Sequence, residues 1–249
     1  MIENLCLVVN THSSYGDLWN IFFDQLKKHF PEVKTYVFSD KGEFDSEYEV
    51  CYYDDTQNFR SQFLSCIGNV EEEYCIFISE DYFLYDSPDR KLLEKYMSVL
   101  DEYQYLSFVR LLKGMSFGEP NFKGHDDLYE LSSSFPYFYS QSAALWRTEH
   151  LEVIFLNGPD LHIAGADESQ QFEIAANETC QKLDMRGLYC YHGEPKRGIY
   201  HYDSVVFPHI ATAVVKGKWN LAEYKEEMTP LLEKYGIDPS VRGVYNVDS

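Results

Sequence analysis

The chain is poor in positive charge and lacks the loops that most often bind cofactors. Lys and Arg number 21 against 41 Asp and Glu, a formal charge of −20. Such a balance repels polyanions and speaks against nucleic acid as a partner. An anionic ligand would also need local positive charge wherever it docked, so a cation becomes attractive at any phosphate site. The sequence contains no GxGxxG, no P-loop, no GxSxG elbow and no HExxH, which disfavours a Rossmann dehydrogenase or a P-loop kinase. No run of about 18 or more apolar residues occurs, so no membrane-spanning helix is expected. The opening MIENLCLVVN carries no basic leader, from which a cytoplasmic protein without a signal peptide is expected. The six cysteines form no CxxC pair, and Cys6, Cys51, Cys75 and Cys190 sit in apolar, strand-like contexts. That predicts buried, reduced thiols rather than disulfides or zinc ligands.

What is present is an alternation of short apolar runs and helical spacings. Leu5–Val9 reads as a buried strand, followed by a polar loop from Asn10 to Gly16. Leu18, Phe22, Leu26 and Phe30 then recur at helical spacing until Pro31. Thr35–Phe38 and Val50–Tyr53 read as strands ending at Asp40 and Asp54, with Phe59, Phe63, Leu64 and Ile67 marking a helix between the second of these and Cys75. Pro88-Asp89 opens a further helix. This predicts an α/β domain with a mainly parallel central sheet and helices on both faces. The second half reads less regularly. Leu106–Leu112 is strand-like, Gly114–Leu128 a loop, Arg147–Leu156 and Asp167–Leu183 helical, Leu188–Tyr191 a strand, and Leu221–Tyr235 an amphipathic helix. No linker divides the chain, so residues 1–249 are read as one domain, with 1–103 as the ligand-binding half and 104–249 as an irregular second half.

The stretch Cys75–Phe83, CIFISEDYF, carries the strongest chemical signal. A buried strand runs straight into Ser79-Glu80-Asp81. Ligands of open α/β sheets bind outside the carboxyl ends of the strands, and carboxylates placed there can hold a hard divalent cation and, through it, phosphates. Three strand ends carry acids, at Asp40, Asp54 and Asp81. His201-Tyr202-Asp203, with His209 beyond it, has the HxD spacing of a non-haem iron triad, a reading the strand–helix alternation disfavours.

Ser79-Glu80-Asp81 stands where GT-A glycosyltransferases carry their DxD motif. Gln141-Ser142-Ala143-Ala144-Leu145-Trp146-Arg147, with Leu151 and Gln170-Gln171-Phe172-Glu173 beyond it, resembles a block of glycosyltransferase-like proteins in which a Gln…Trp-Arg segment leads a helix. Phe207-Pro208-His209 and Gly217-Lys218-Trp219 resemble the end of the same proteins. The chain thus resembles, from Leu5 to Tyr235, a GT-A fold glycosyltransferase, family 2-like with a variant DxD motif. Two departures stand out: Ser79 replaces the first aspartate, and Gln170-Gln171 stand where Trp and Glu are expected.

The resemblance implies a nucleotide-diphosphate sugar as donor, a glycan or other hydroxyl acceptor, and Mn2+ or Mg2+ as cofactor. It implies Asp81 as the main metal carboxylate, with His201 or His209 completing the shell. Glu80 would hold a metal-bound water or a ribose hydroxyl, Asp40 the base or ribose, and Thr11, His12 and Ser13 would line the nucleotide. Trp146 and Arg147 would shape the acceptor or diphosphate pocket. An inverting transfer, the preferred reading, needs a base, for which Asp167, Glu168 and Glu173 are placed; capping is the alternative role of Asp167 and Glu168. Other readings remain: a catalytically inactive sugar-nucleotide-binding module, for which the lost aspartate speaks, or a sugar nucleotidyltransferase, against which the absence of a basic Gly-rich first loop speaks.

Overall fold

The structure, a computed structural model, describes residues 2–114, 120–161, 167–197 and 201–245, with the side chains of 167–169 and 201 outside that description. Strand β1 (Leu5–Asn10) sets the plan. Leu5, Leu7 and Val9 belong to the core on one face, Cys6 and Val8 to the core on the other, and all are buried. A strand covered on both faces must be apolar throughout, which is why this run does not alternate with polar residues. Strands β2 (Lys34–Ser39), β3 (Glu49–Tyr52) and β4 (Tyr74–Ser79) join it in parallel. Helices α1 (Gly16–His29) and α3 (Arg90–Glu102) pack on the Leu7 face, and α2 (Phe59–Ile67) on the Val8 face. The caps are local: Asn58 accepts from the Ser61 amide at 2.8 Å and Asp89 from the Leu92 amide at 3.1 Å.

The second half extends the same sheet. Strands β5 (Leu106–Arg110), β6 (Leu128–Leu131), β7 (Ala144–Arg147) and β8 (Arg186–Cys190) complete an eight-stranded order β3-β2-β1-β4-β7-β5-β8-β6. Strand β7 is antiparallel to both its neighbours, and β6 closes the edge antiparallel to β8. Every other pairing in the sheet is parallel. Helices α4 (Thr148–Asn157) and α5 (Asp167–Lys182) join the Val8 face, where the rings of Phe63 and Phe155 stack at 3.7 Å. Helix α6 (Lys225–Lys234) covers the other face through Met228 and Leu231. Two short hairpins, β9 (Lys196–Arg197) with β10 (His201–Tyr202) and β11 (Val214–Val215) with β12 (Lys218–Trp219), and the short helix α7 (Pro239–Arg242), complete the described elements. Gly187 of β8 is required by packing: a Cβ there would lie 2.3 Å from the Phe108 ring.

This is the mixed α/β architecture, mainly parallel and covered on both faces, that the resemblance to GT-A enzymes implies. Several boundaries differ from the sequence reading by a residue or two, as where β5 stops at Arg110 instead of Leu112, and two differ in kind. Leu128 opens strand β6 instead of closing a loop, because only Leu128 and Leu131 of its four residues are buried, too short a pattern to stand out. The last amphipathic helix starts at Lys225 instead of Leu221, because Leu221 bonds back to the Trp219 carbonyl in a turn. All six cysteines are free thiols, five of them buried and Cys51 half-buried.

Candidate functional site

The topology brings the carboxyl ends of β1, β2, β3, β4, β5 and β8 to one edge, together with the start of β7. Asn10 pairs with Phe38 and with Ser79, so the loops after β1, β2 and β4 leave the sheet side by side. Thr11, His12, Ser13, Asp40, Glu80 and Asp81 therefore gather on this crest.

The β1 loop is fixed from below. Buried Thr11 donates its amide to the Phe38 carbonyl at 2.9 Å, and the Tyr53 hydroxyl donates to the Thr11 carbonyl at 2.7 Å. The amide and the hydroxyl of Ser13 each donate to the Asp40 carboxylate at 2.7 Å. Burial raises the Asp40 pKa, but these two bonds, together with His12 and a backbone amide, outweigh it and hold the group below the ordinary carboxylate range. Asp40 thus commits its acceptors to the loop. His12 lies 3.7 Å from Asp40 through Nε2, while its Nδ1 accepts from the Ser14 amide at 3.0 Å. Among the described residues, His12, Asp40 and Asp55 form the one set of three His, Cys, Asp or Glu ligand atoms that lie within 4.8 Å of one another.

Glu80 and Asp81 behave differently. Glu80 is buried, and its carboxyl is bonded by the Thr11 hydroxyl. Burial and the neighbouring Asp81 push its pKa well above the ordinary range. Burial likewise pushes Asp81 up to about 7, against hydrogen bonding from the Val214 amide at 3.5 Å. Two adjacent carboxyls with so few donors are poorly compensated as anions. Bringing a hard cation against them would restore both to the ionised form, so the donor set fits a divalent ion in its chemistry.

A third carboxyl lies beyond them. Glu173 of α5 accepts from the Gln141 amide at 2.8 Å and from the Ser140 hydroxyl. Four residues on, Asn177 accepts from the Tyr139 amide at 3.0 Å and donates to the Glu173 carbonyl at 2.8 Å. The two side chains share one face of the helix and clamp the loop that leads into β7. Burial raises the Glu173 pKa, partly offset by these bonds and by the buried Arg110 guanidinium. The Tyr82 hydroxyl, next in sequence to Asp81, donates to the Gln141 carbonyl at 2.9 Å. Asp81 and Glu173 are thus joined through Tyr82 and Gln141.

The remaining expected residues lie as follows. The side chains of Asp167, Glu168 and His201 are outside the described residues. His209 pairs opposite Leu84, whereas the Asp81 carbonyl accepts from the Ala213 amide, so the histidine is displaced along the chain from Asp81. Its ring is buried, 5.4 Å from that of Tyr82, and its Nδ1 is 2.6 Å from the Phe207 carbonyl. The structure does not bring Trp146 and Arg147 to the crest. Arg147 pairs with Tyr74 at the opposite end of β4, and Trp146 packs under Phe108 with ring centroids 4.2 Å apart. The antiparallel course of β7, which a sequence does not disclose, turns that end of the strand away.

Three crest residues were not singled out by sequence. Tyr82 had only its place beside Asp81 to mark it. Tyr15 comes just after the β1 loop as one tyrosine among 21. Arg242 of α7 places its guanidinium carbon 5.4 Å from the Tyr15 ring centroid, yet stands 161 residues beyond Asp81; only the scarcity of bases could have drawn attention to it.

Neither a protein-family model nor a curated protein sequence matches the chain. Among solved structures, the chain is similar to residues 1–349 of TarS from S. aureus, with a TM-score of 0.48, 15% identity, and coverage of 80% of this chain and 60% of that one. The same protein in complex with UDP-GlcNAc gives a TM-score of 0.46 at 16% identity, covering 80% and 57%. A CMP:2-keto-3-deoxy-manno-octonic acid synthetase complexed with CTP gives 0.44 at 10%, covering 74% and 88%. The chain spans about three fifths of the length of the first of these.

Proposed function

We propose that this chain transfers a sugar from a nucleoside-diphosphate sugar to a hydroxyl acceptor. The observation that carries the reading is the crest: two adjacent carboxyls at the end of β4, both with pKa raised by burial, joined through Tyr82 and Gln141 to a third on α5. The first pair suits the donor. Asp81, with Glu80 beside it, would hold a Mn2+ or Mg2+ ion, which when bound supplies positive charge to a departing diphosphate. The β1 loop, fixed by Asp40 and Tyr53, forms a rigid floor for the nucleoside.

Glu173 suits the acceptor. Its raised pKa keeps it a better proton acceptor than an ordinary carboxylate. As the acceptor oxygen bonds to the anomeric carbon, its proton passes to Glu173. The bond from that carbon to the diphosphate breaks, and the nucleoside diphosphate leaves with the electron pair. Attack opposite the leaving group inverts the anomeric centre. The halves 1–103 and 104–249 then divide the work, donor on one side and acceptor on the other.

The test is a panel of nucleotide sugars incubated with the protein and Mn2+, with nucleotide release and binding calorimetry as readouts. Release that depends on metal and disappears in Asp81→Ala, with the variant still folded by circular dichroism, supports the transferase. Binding without release for any donor or acceptor leaves a sugar-nucleotide-binding module. Unaltered metal-dependent binding in Asp81→Ala removes the metal assignment.

A further inference from the structure

We propose that Arg242 is a diphosphate-binding residue of this site, and that Asp17 occupies it until the nucleotide arrives. The inference rests on the nucleotide-sugar reading above. Arg242 belongs to α7, and its side chain is 16% exposed. Its Nη2 donates to both Asp17 oxygens, at 2.5 and 2.7 Å, and its Nε to one of them at 3.1 Å. This forked contact is the one a guanidinium makes with a phosphate. The Tyr15 and Trp219 rings, with centroids 5.4 and 5.5 Å from the guanidinium carbon, hold its plane. Its Nη1 also donates to the Gly217 carbonyl at 3.3 Å.

The backbone ties this arginine to the crest. Gly217 is the turn of the β11–β12 hairpin, whose first residue, Val214, donates to the Asp81 carboxylate. The Trp219 amide at its other end donates to the Gly243 carbonyl beside Arg242, at 2.9 Å. The positive charge therefore stands across one hairpin from Asp81. Asp17 is half-exposed, at 51%, and an ion pair so open to water exchanges its partner at little cost. In a chain of charge −20, a guanidinium one hairpin away from Asp81 offers the local positive charge a diphosphate requires.

The experiment is calorimetric titration with UDP, GDP, CDP and ADP and with the matching monophosphates, in EDTA and again in Mn2+. The variants are Arg242→Gln, Arg242→Lys and Asp17→Asn, each checked by thermal melting. The wild type is expected to bind one diphosphate. Arg242→Gln should weaken that diphosphate about tenfold to a hundredfold while leaving the monophosphate nearly unchanged. Arg242→Lys should keep part of the affinity, and Asp17→Asn should tighten the diphosphate a few-fold. The opposite signs separate a binding role from a strap between α7 and α1, which both substitutions would loosen alike. If Arg242→Gln fails to fold, a weakened diphosphate in Asp17→Asn overturns the proposal. Equal loss for mono- and diphosphate, or none, overturns it while the nucleotide-sugar reading stands. A wild type that binds none of these nucleotides overturns both.

Discussion

The two ends of strand β4 hold charge in opposite ways. At its start, Arg147 is 3% exposed, and every group it meets is an acceptor in place. Its Nη1 donates to Glu73 at 3.1 Å and to the Tyr74 hydroxyl at 3.2 Å, its Nε to the Leu106 carbonyl at 3.3 Å, and its Nη2 to the Leu100 carbonyl. At its finish, Glu80 and Asp81 have few donors and pKa values raised by burial. One end uses its charge to join α3, β5 and β7. The other keeps carboxyls under tension that a ligand could relieve. Buried charge that is internally satisfied reads as structure, and buried charge left short of partners reads as a site.

Substitutions can break this contrast. The largest effect is expected from Arg147→Ala, which orphans the Leu100 and Leu106 carbonyls and should cost about 3–5 kcal/mol in urea unfolding. Nucleotide binding by the folded fraction should be unchanged; a loss of binding with normal stability would return Arg147 to the site. Next comes Glu173→Gln, expected to lower turnover by about 10²–10⁴-fold with nucleotide affinity intact. The acidic limb of kcat/KM, shifted upward from an ordinary carboxylate by the burial of Glu173, should vanish with it. Turnover equal to wild type would exclude this carboxyl as the base.

The subtlest effect concerns pH. Asp81 rises from 3.8 to about 7 on folding, so the folded protein holds this proton more tightly than the unfolded chain. The associated stability is full below pH 3.8 and is lost as pH climbs through about 7. Relative to Asp81→Asn, the wild type should therefore weaken between about pH 4 and 7, and Mn2+ should offset the loss above pH 7. Parallel unfolding curves for the two proteins across this range would contradict the shift.

Much of the fold was legible because the strands of the first half are covered on both sides. Leu5–Val9 and Cys75–Ile78 read as unbroken apolar runs and became β1 and β4. The acids after Ile78 were legible for the same reason, since a strand buried on both faces ends where uncompensated carboxylates begin. Strand direction was not legible: Ala144–Trp146 is as apolar as a parallel strand, and only the partners of β7 decide that it runs backwards. That reversal separates Arg147 from the crest. Short elements such as β6 and the two-residue hairpins carry too few side chains to leave a pattern. Arg242 was invisible because its neighbours come from opposite ends of the chain, and one arginine has no period.

The four-residue spacing of Glu173 and Asn177 makes their hold on the loop before β7 sensitive to helical phase. Each residue added to a helix rotates the remainder of that helix by about 100°. A single insertion between these two would swing one of them off the loop at 139–141, whichever stayed seated. Length, and not only composition, is thus constrained in this turn of α5: it should accept substitutions at exposed Ile174 far more readily than the gain or loss of one residue.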